Sequence, residues 1–451
     1  MTDSSSLLPN QQAVSSDCLF NLKPSSVPGR VYRASVPTSN KSSFSPQDTA
    51  ILYIPGGRRN TFLDTTQTYI KYTINNSDAS IVQNIDNNGA CVINRLDSFS
   101  GSNLLETVQG YNILYSYMCD FQMDLGAKLG SSSNYGFGLT IADGTIRAGV
   151  ALPVSSRLTV CMPLLSAVYG LGADKMLPIG LLGDDIRIEI TFESQASGLV
   201  AASGTPTWTV TNMELELCIV ELSDVGMSMV NSVTPFNQPM YLHGNSWRHY
   251  TSSLPASAGS FSTLVPARFA SLKTLLLCPR CNTTINLATA YSTSSRANPN
   301  ISQYWWRVGP YLIPNKPVTL ISSQVGGFAE GYMEIIRSLH GLSHADVGNS
   351  IAFDQFNVID GTAVATVGNG GLLQAGHTLT TSARNAFAIA QELELWSQRA
   401  DVLISGMNTL ASQVFFECNL DSAPTAVYTL DFYANFDIIF VLENGLLSAR
   451  Y

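Results

Sequence analysis

Five histidines and eight cysteines among 451 residues are the side chains from which metal, redox or nucleophilic chemistry could be built. Cys278-Pro-Arg-Cys281 has the gap of a zinc or dithiol pair, but a structural zinc site needs a second ligand pair and none lies near it. The cysteines at 18, 91, 119, 161, 218 and 418 mostly sit in apolar runs such as Leu217-Cys218-Ile219, where a thiol acts as a small hydrophobe. His340-Gly-Leu-Ser-His344 would set two imidazoles on one helix face, yet Gly341 and the missing third ligand point to a helix end or loop, and His243, His249 and His377 stand apart. The carboxylate pairs Asp184-Asp185 and Glu392/Glu394 lie beside or within alternating strand patterns and read as a turn and a solvated face. Arg58-Arg59, the only adjacent basic pair, reads as a solvated loop tip. There is no Gly-x-Ser-x-Gly elbow, P-loop or dinucleotide fingerprint. The expectation is a chain with no catalytic, cofactor-binding or metal-ligating residue, and no enzyme.

Composition narrows the class further. Hydrophobic residues make up 45% of the chain and charged residues only 13%, roughly half the share of an average soluble protein. Neutral polar residues take their place, which suits permanent contacts between copies of the chain. A net charge of −9 opposes a surface that grips nucleic acid, since phosphate binding needs clustered Lys and Arg, so no sequence-specific nucleic-acid binding is expected. No charged-then-apolar leader opens the sequence, so a reducing compartment is expected, with Asn282-Thr-Thr and Asn300-Ile-Ser unglycosylated. The apolar stretch 158–182 contains Asp174, Lys175, two prolines and several glycines, and is not read as a membrane span.

The elements that must position these residues are mostly strands. Residues 1–45, rich in Ser, Pro and Asn, read as a flexible arm carrying the apolar islands Leu19-Phe20 and Val31-Tyr32. Ala50–Ile54 and Tyr69–Ile74 read as strands, Arg157–Leu165 is rich in β-formers, and Ile186, Ile188 and Ile190 alternate with Arg187, Glu189 and Thr191. Met213, Leu215, Leu217 and Ile219 mark a long closing strand. Between them Leu104, Val108, Tyr111, Tyr115 and Met118 fall on one helical stripe, predicting a helix over Leu104–Met118. After a linker at 226–239 the plan starts again, with a strand at Ala270–Leu277, a helical stripe Phe328, Tyr332, Ile335, Ile336 and Leu339, and closing strands at Gln413–Leu420 and Tyr428–Leu442. The fold class is therefore all-β: two sandwiches in tandem, 46–225 and 240–451, with short inserted helices, each an eight-stranded jelly roll.

The run Pro163-Leu-Leu, Leu177-Pro-Ile and Asp185-Ile-Arg-Ile-Glu-Ile-Thr-Phe192 resembles the first jelly roll of the double jelly-roll major capsid proteins of small DNA viruses, the Polinton-like virus, adintovirus and virophage group. Pro55–Tyr69 is similar to the start of that jelly roll, and Ser397–Asn408 with Phe436–Gly445 to late elements of the second. The resemblance implies a structural protein that forms a pseudo-hexameric homotrimer and tiles an icosahedral shell around double-stranded DNA. It implies as partners a single jelly-roll vertex (penton) protein and minor capsid or cement proteins, with assembly inside the host cell and a place in the virion. The competing expectation is a trimeric jelly-roll module that binds carbohydrate or a receptor.

Overall fold

The computed structural model describes residues 26–451 except 139–140, 143–144, 147–148, 202, 234–237, 286, 323, 325, 340–349, 352–355, 360–376, 379–384 and 396–403. In chain order the first block runs β1 (Gly29–Pro37), β2 (Thr49–Ile54), β3 (Thr61–Asn76), β4 (Ile93–Ser100), β5 (Asn103–Gln109), helix α1 (Tyr111–Gln122), β6 (Arg157–Met162), β7 (Ile186–Phe192) and β8 (Trp208–Leu222). Helix α2 (Asp224–Val233) leads into the second block: β9 (Met240–Leu254), β10 (Ser260–Val265), β11 (Leu272–Cys281), β12 (Ile301–Val308), β13 (Tyr311–Thr319), helix α3 (Ala329–Ser338), β14 (Ile389–Glu392), β15 (Val414–Leu420), β16 (Tyr428–Glu443) and β17 (Leu446–Arg450). The first block pairs its strands as β1-β8-β3-β6 and β2-β7-β4-β5, and the second as β9-β16-β11-β14 and β10-β15-β12-β13. Adding eight to each number converts the first pair of sheets into the second. All these pairings are antiparallel, so each block is an eight-stranded sandwich, and β17 extends the second by folding back on β16.

Side-chain alternation explains why these segments are strands. On β7 Ile186, Ile188, Ile190 and Phe192 are buried while Arg187, Glu189 and Thr191 reach the surface. They meet Ile70, Tyr72 and Ile74 from β3 and Leu215 and Leu217 from β8 in one apolar layer. The second core is more aromatic: Trp306 lies 5.0 Å from Phe416 and 5.9 Å from Phe432, ring to ring, with tilted and edge contacts of the favourable kind.

Three boundaries differ from the sequence reading. The expected arm of 1–45 is cut short, because Gly29–Pro37 is strand β1, in continuous register with β8 from Gly29↔Leu222 to Pro37↔Glu214. An edge strand is held by backbone hydrogen bonds and needs little apolar alternation, so its Ser/Pro-rich surroundings concealed it. The predicted helix over Leu104–Met118 is half strand: Leu104 and Val108 belong to β5, and α1 begins only at Tyr111. Gly110, at φ +58°, turns the chain between the two. The linker of 226–239 is largely helix α2, which starts at Asp224.

Candidate functional site at the seam between the sandwiches

The residues singled out in the sequence scatter. Cys278 and Cys281 both lie on β11, where an odd offset sends side chains to opposite faces, and burial pushes the Cys278 thiol up to about 12. His340 and His344 lie outside the described residues, as does Cys18. Among the described residues no three His, Cys, Asp or Glu side chains form a metal-sized group. Asp184 and Asp185 form the expected exposed turn, with Asp185 accepting from the Gly56 N–H at 2.9 Å. Arg58 and Arg59 are exposed on their loop, Arg58 over the Tyr32 ring and Arg59 3.3 Å from Asp224.

The Glu392/Glu394 pair is not the solvated face that alternation suggested. Glu392 ends β14 beneath α3 and is buried, and burial raises its carboxyl to about 7. Glu394 follows it, 2.7 Å from the Lys273 ammonium and within reach of the Ser405 hydroxyl at 2.8 Å. A helix packed over the second face of a sheet cancels the inference that alternate residues see water.

The chemistry-bearing side chains that the fold does bring together line the junction of the two sandwiches. Strand β5 of the first lies against β9 and β17 of the second. Glu106 on β5 is buried and accepts from the Ser246 hydroxyl across the seam at 2.5 Å, from Ser166 at 2.7 Å, and from the Ala167 N–H. Burial nevertheless holds its carboxyl above the ordinary range. Asp120 on α1 stands between two cations as deeply buried as itself, Lys128 at 2.9 Å and, from the second sandwich, Arg296 at 2.6 Å. Asp86 receives the Thr293 N–H at 2.8 Å and the Ser294 hydroxyl. The Tyr433 hydroxyl donates to the Gly110 carbonyl at 2.8 Å.

On the second sandwich His249 and Arg280 converge on Asp431, at 2.9 and 2.6 Å, and the His249 ring stacks on Tyr433 at 4.8 Å. Burial acts to raise the Asp431 carboxyl, but Arg280 and His249 outweigh it and the group titrates below its usual range. His243 pairs with Asp437 at 2.9 Å in the same way. A cleft of about 490 Å³ opens beside His249, Arg280, Asn112 and Glu193, and a smaller one of about 200 Å³ beside Glu106, Lys273 and Trp247. Several polar groups facing the larger cleft are engaged with one another: Glu193 holds Asn94 and Asn112 at 2.6 and 2.9 Å, and the imidazole Nε2 of His249 is taken by Asp431. Such an arrangement fixes two bodies against each other.

No family model and no curated protein sequence matches the chain. Solved structures match over nearly its full length. A chain of the PBCV-1 virus capsid superposes with a TM-score of 0.59 at 9% identity, covering 96% of this chain and 98% of that one. A chain of the Sputnik virophage gives 0.59 at 11% identity over 98% and 93%, and the Faustovirus major capsid protein 0.57 at 9% over 96% and 92%. The chain is a double jelly roll. The fold expected from the strand pattern is thus the observed one, reached with almost no shared sequence.

In this double jelly roll the residues that hold the seam were not found from motifs. Their only signal is a charge inside an apolar run: Glu106 in Leu104–Val108 and Asp120 between Cys119 and Phe121. A carboxylate in such a place is buried only with partners, but those partners, Ser246 and Arg296, lie 140 and 176 residues away.

Proposed function

We propose that this chain is a structural major capsid protein, which self-assembles as a homotrimer of pseudo-hexameric outline and tiles an icosahedral shell enclosing a double-stranded DNA genome. One observation carries the reading: the two sandwiches repeat the same strand order and are fixed side by side by buried ionic and hydroxyl contacts. Two like wall units per chain let three chains fill a six-fold position, which a single sandwich or a loosely linked pair would not do. The likeness in fold to capsid chains of PBCV-1, Sputnik and Faustovirus supports it. The role is architectural and not enzymatic, with the virion as its place, and a vertex protein and minor capsid or cement proteins as its further partners. The sparse charge supplies neutral polar surface for extensive contact between copies.

The test is light scattering and negative-stain microscopy of the purified chain. The expected result is three times the 48.6 kDa chain mass and particles of hexagonal outline. A folded chain that stays monomeric at every concentration would overturn the proposal.

A further inference from the structure

We propose that Lys273 and Asn245 join covalently in the folded chain, the lysine Nζ displacing ammonia from the asparagine side-chain amide with Glu394 as the acid–base group. One sheet brings the three together. Asn245 lies on β9 and Lys273 on β11, the two strands that flank β16, and Glu394 follows β14 on the far side of β11. Register on β16 skips at Lys273: Leu272 stands opposite Phe436 and Thr274 opposite Asn435, so Lys273 is the extra residue of a bulge. A bulge re-aims its side chain, and here the ammonium ends 3.4 Å from the Asn245 Oδ1 and 2.7 Å from the Glu394 carboxylate. Lys273 is only 17% exposed and Glu394 5%. Both face the smaller cleft, in the company of Leu165, Trp247 and Leu339.

An amine, an amide and a carboxylate in mutual reach are the parts of an acyl transfer. Glu394 takes a proton from the Lys273 ammonium and frees its lone pair; Nζ then attacks Asn245 Cγ, the carbon bonded to the oxygen it already faces. The Nζ–Cγ bond forms and the Cγ–Nδ2 bond breaks. Of the three Nζ protons one stays on the new amide and two depart on Nδ2, which leaves as ammonium, so no oxidant or cofactor is consumed. An amide resists amines in water, but reactants held in place gain many powers of ten in rate, and one turnover in the life of the chain suffices. Asp437, 3.7 Å from the ammonium, is the competing acyl group, and it is held by His243 at 2.9 Å and by the Ser271 hydroxyl. The product ties β9 to β11 across β16, between residues 28 apart, and restrains the unfolded chain as a disulfide does. It thereby staples the strand that carries Ser246 into the seam, in a chain whose described cysteines are all free thiols.

Mass spectrometry of the full chain, incubated folded at neutral pH and then denatured, tests this. The expected mass is about 17 Da below that of the sequence, one ammonia. A tryptic digest should contain a branched peptide that links residues 245 and 273 and is uncut after Lys273. Lys273→Arg should abolish the loss, and Glu394→Gln should slow it at least about tenfold, with circular dichroism to verify folding. Asn245→Ala takes the place of Lys273→Arg if that variant misfolds. An unsubstituted chain of full sequence mass would overturn the proposal. So would a loss that survives in Lys273→Arg, because ring closure by an asparagine elsewhere, such as Asn444 before Gly445, sheds the same ammonia. A loss of about 18 Da, one water, would move the bond to Asp437 and overturn the assignment to Asn245. An unchanged rate in Glu394→Gln would overturn the acid–base role.

Discussion

Replacing Gly110 by alanine probes the seam where its backbone meets the buried Tyr433. Gly110 sits at φ +58°, where a side chain costs about 1–2 kcal/mol. An added Cβ would also lie 2.5 Å from the Tyr433 hydroxyl, which donates to the carbonyl of Gly110 itself. Tyr433 is fully buried beneath His249, so it cannot swing aside, and the displaced hydroxyl loses its bond at a further cost of about 1–3 kcal/mol. The sum, roughly 2–5 kcal/mol, should appear as a lower urea midpoint at matched protein concentration. Tyr433→Phe removes the hydroxyl, and in that background Gly110→Ala should cost only the backbone part, about 1–2 kcal/mol. The cycle therefore predicts a coupling of about 1–3 kcal/mol between residues 323 apart in sequence. Costs that add to within about 0.5 kcal/mol would refute the reasoning, because they would mean that the two groups do not meet.

Asp120→Asn takes the negative charge from between the buried Lys128 and Arg296; a loss of about 3–5 kcal/mol in unfolding free energy is expected, most of it restored when all three positions are made apolar. Glu392 has a folded pKa raised by burial to about 7, so its contribution to stability is complete below the unfolded value near 4.5 and is lost as pH rises through 7. The thermal midpoint should fall as pH rises from about 4.5 to about 7 and level off above that, and Glu392→Gln, neutral throughout, should flatten that part of the profile; an identical slope in the variant would place the titration elsewhere. Deleting residues 1–37 removes β1 and uncovers the edge of β8, so the first sandwich should unfold at lower urea; an unchanged midpoint would show that the nine paired residues contribute nothing.

The alternation of Ile186, Ile188 and Ile190 with Arg187 and Glu189, and of Met213, Leu215, Leu217 and Ile219 with their polar neighbours, determined strands, burial side and, through its recurrence after residue 240, the doubled plan. These are local properties: each side chain's face follows from its place in the strand, and an apolar face must be covered. Sequence alone did not reveal β1, whose pairing is backbone to backbone, nor the end of β5, where one positive φ at Gly110 interrupts a pattern that reads equally as helix. It misplaced Glu392 because the packing of α3 over β14 is a relation between segments. The seam was decided only by the tertiary fold: Glu106 and Asp120 look like isolated charges until Ser246, Lys128 and Arg296 surround them. A buried charge is tolerable only beside its partner, and where the partner stands is set by how two sandwiches pack, which no spacing along the chain records.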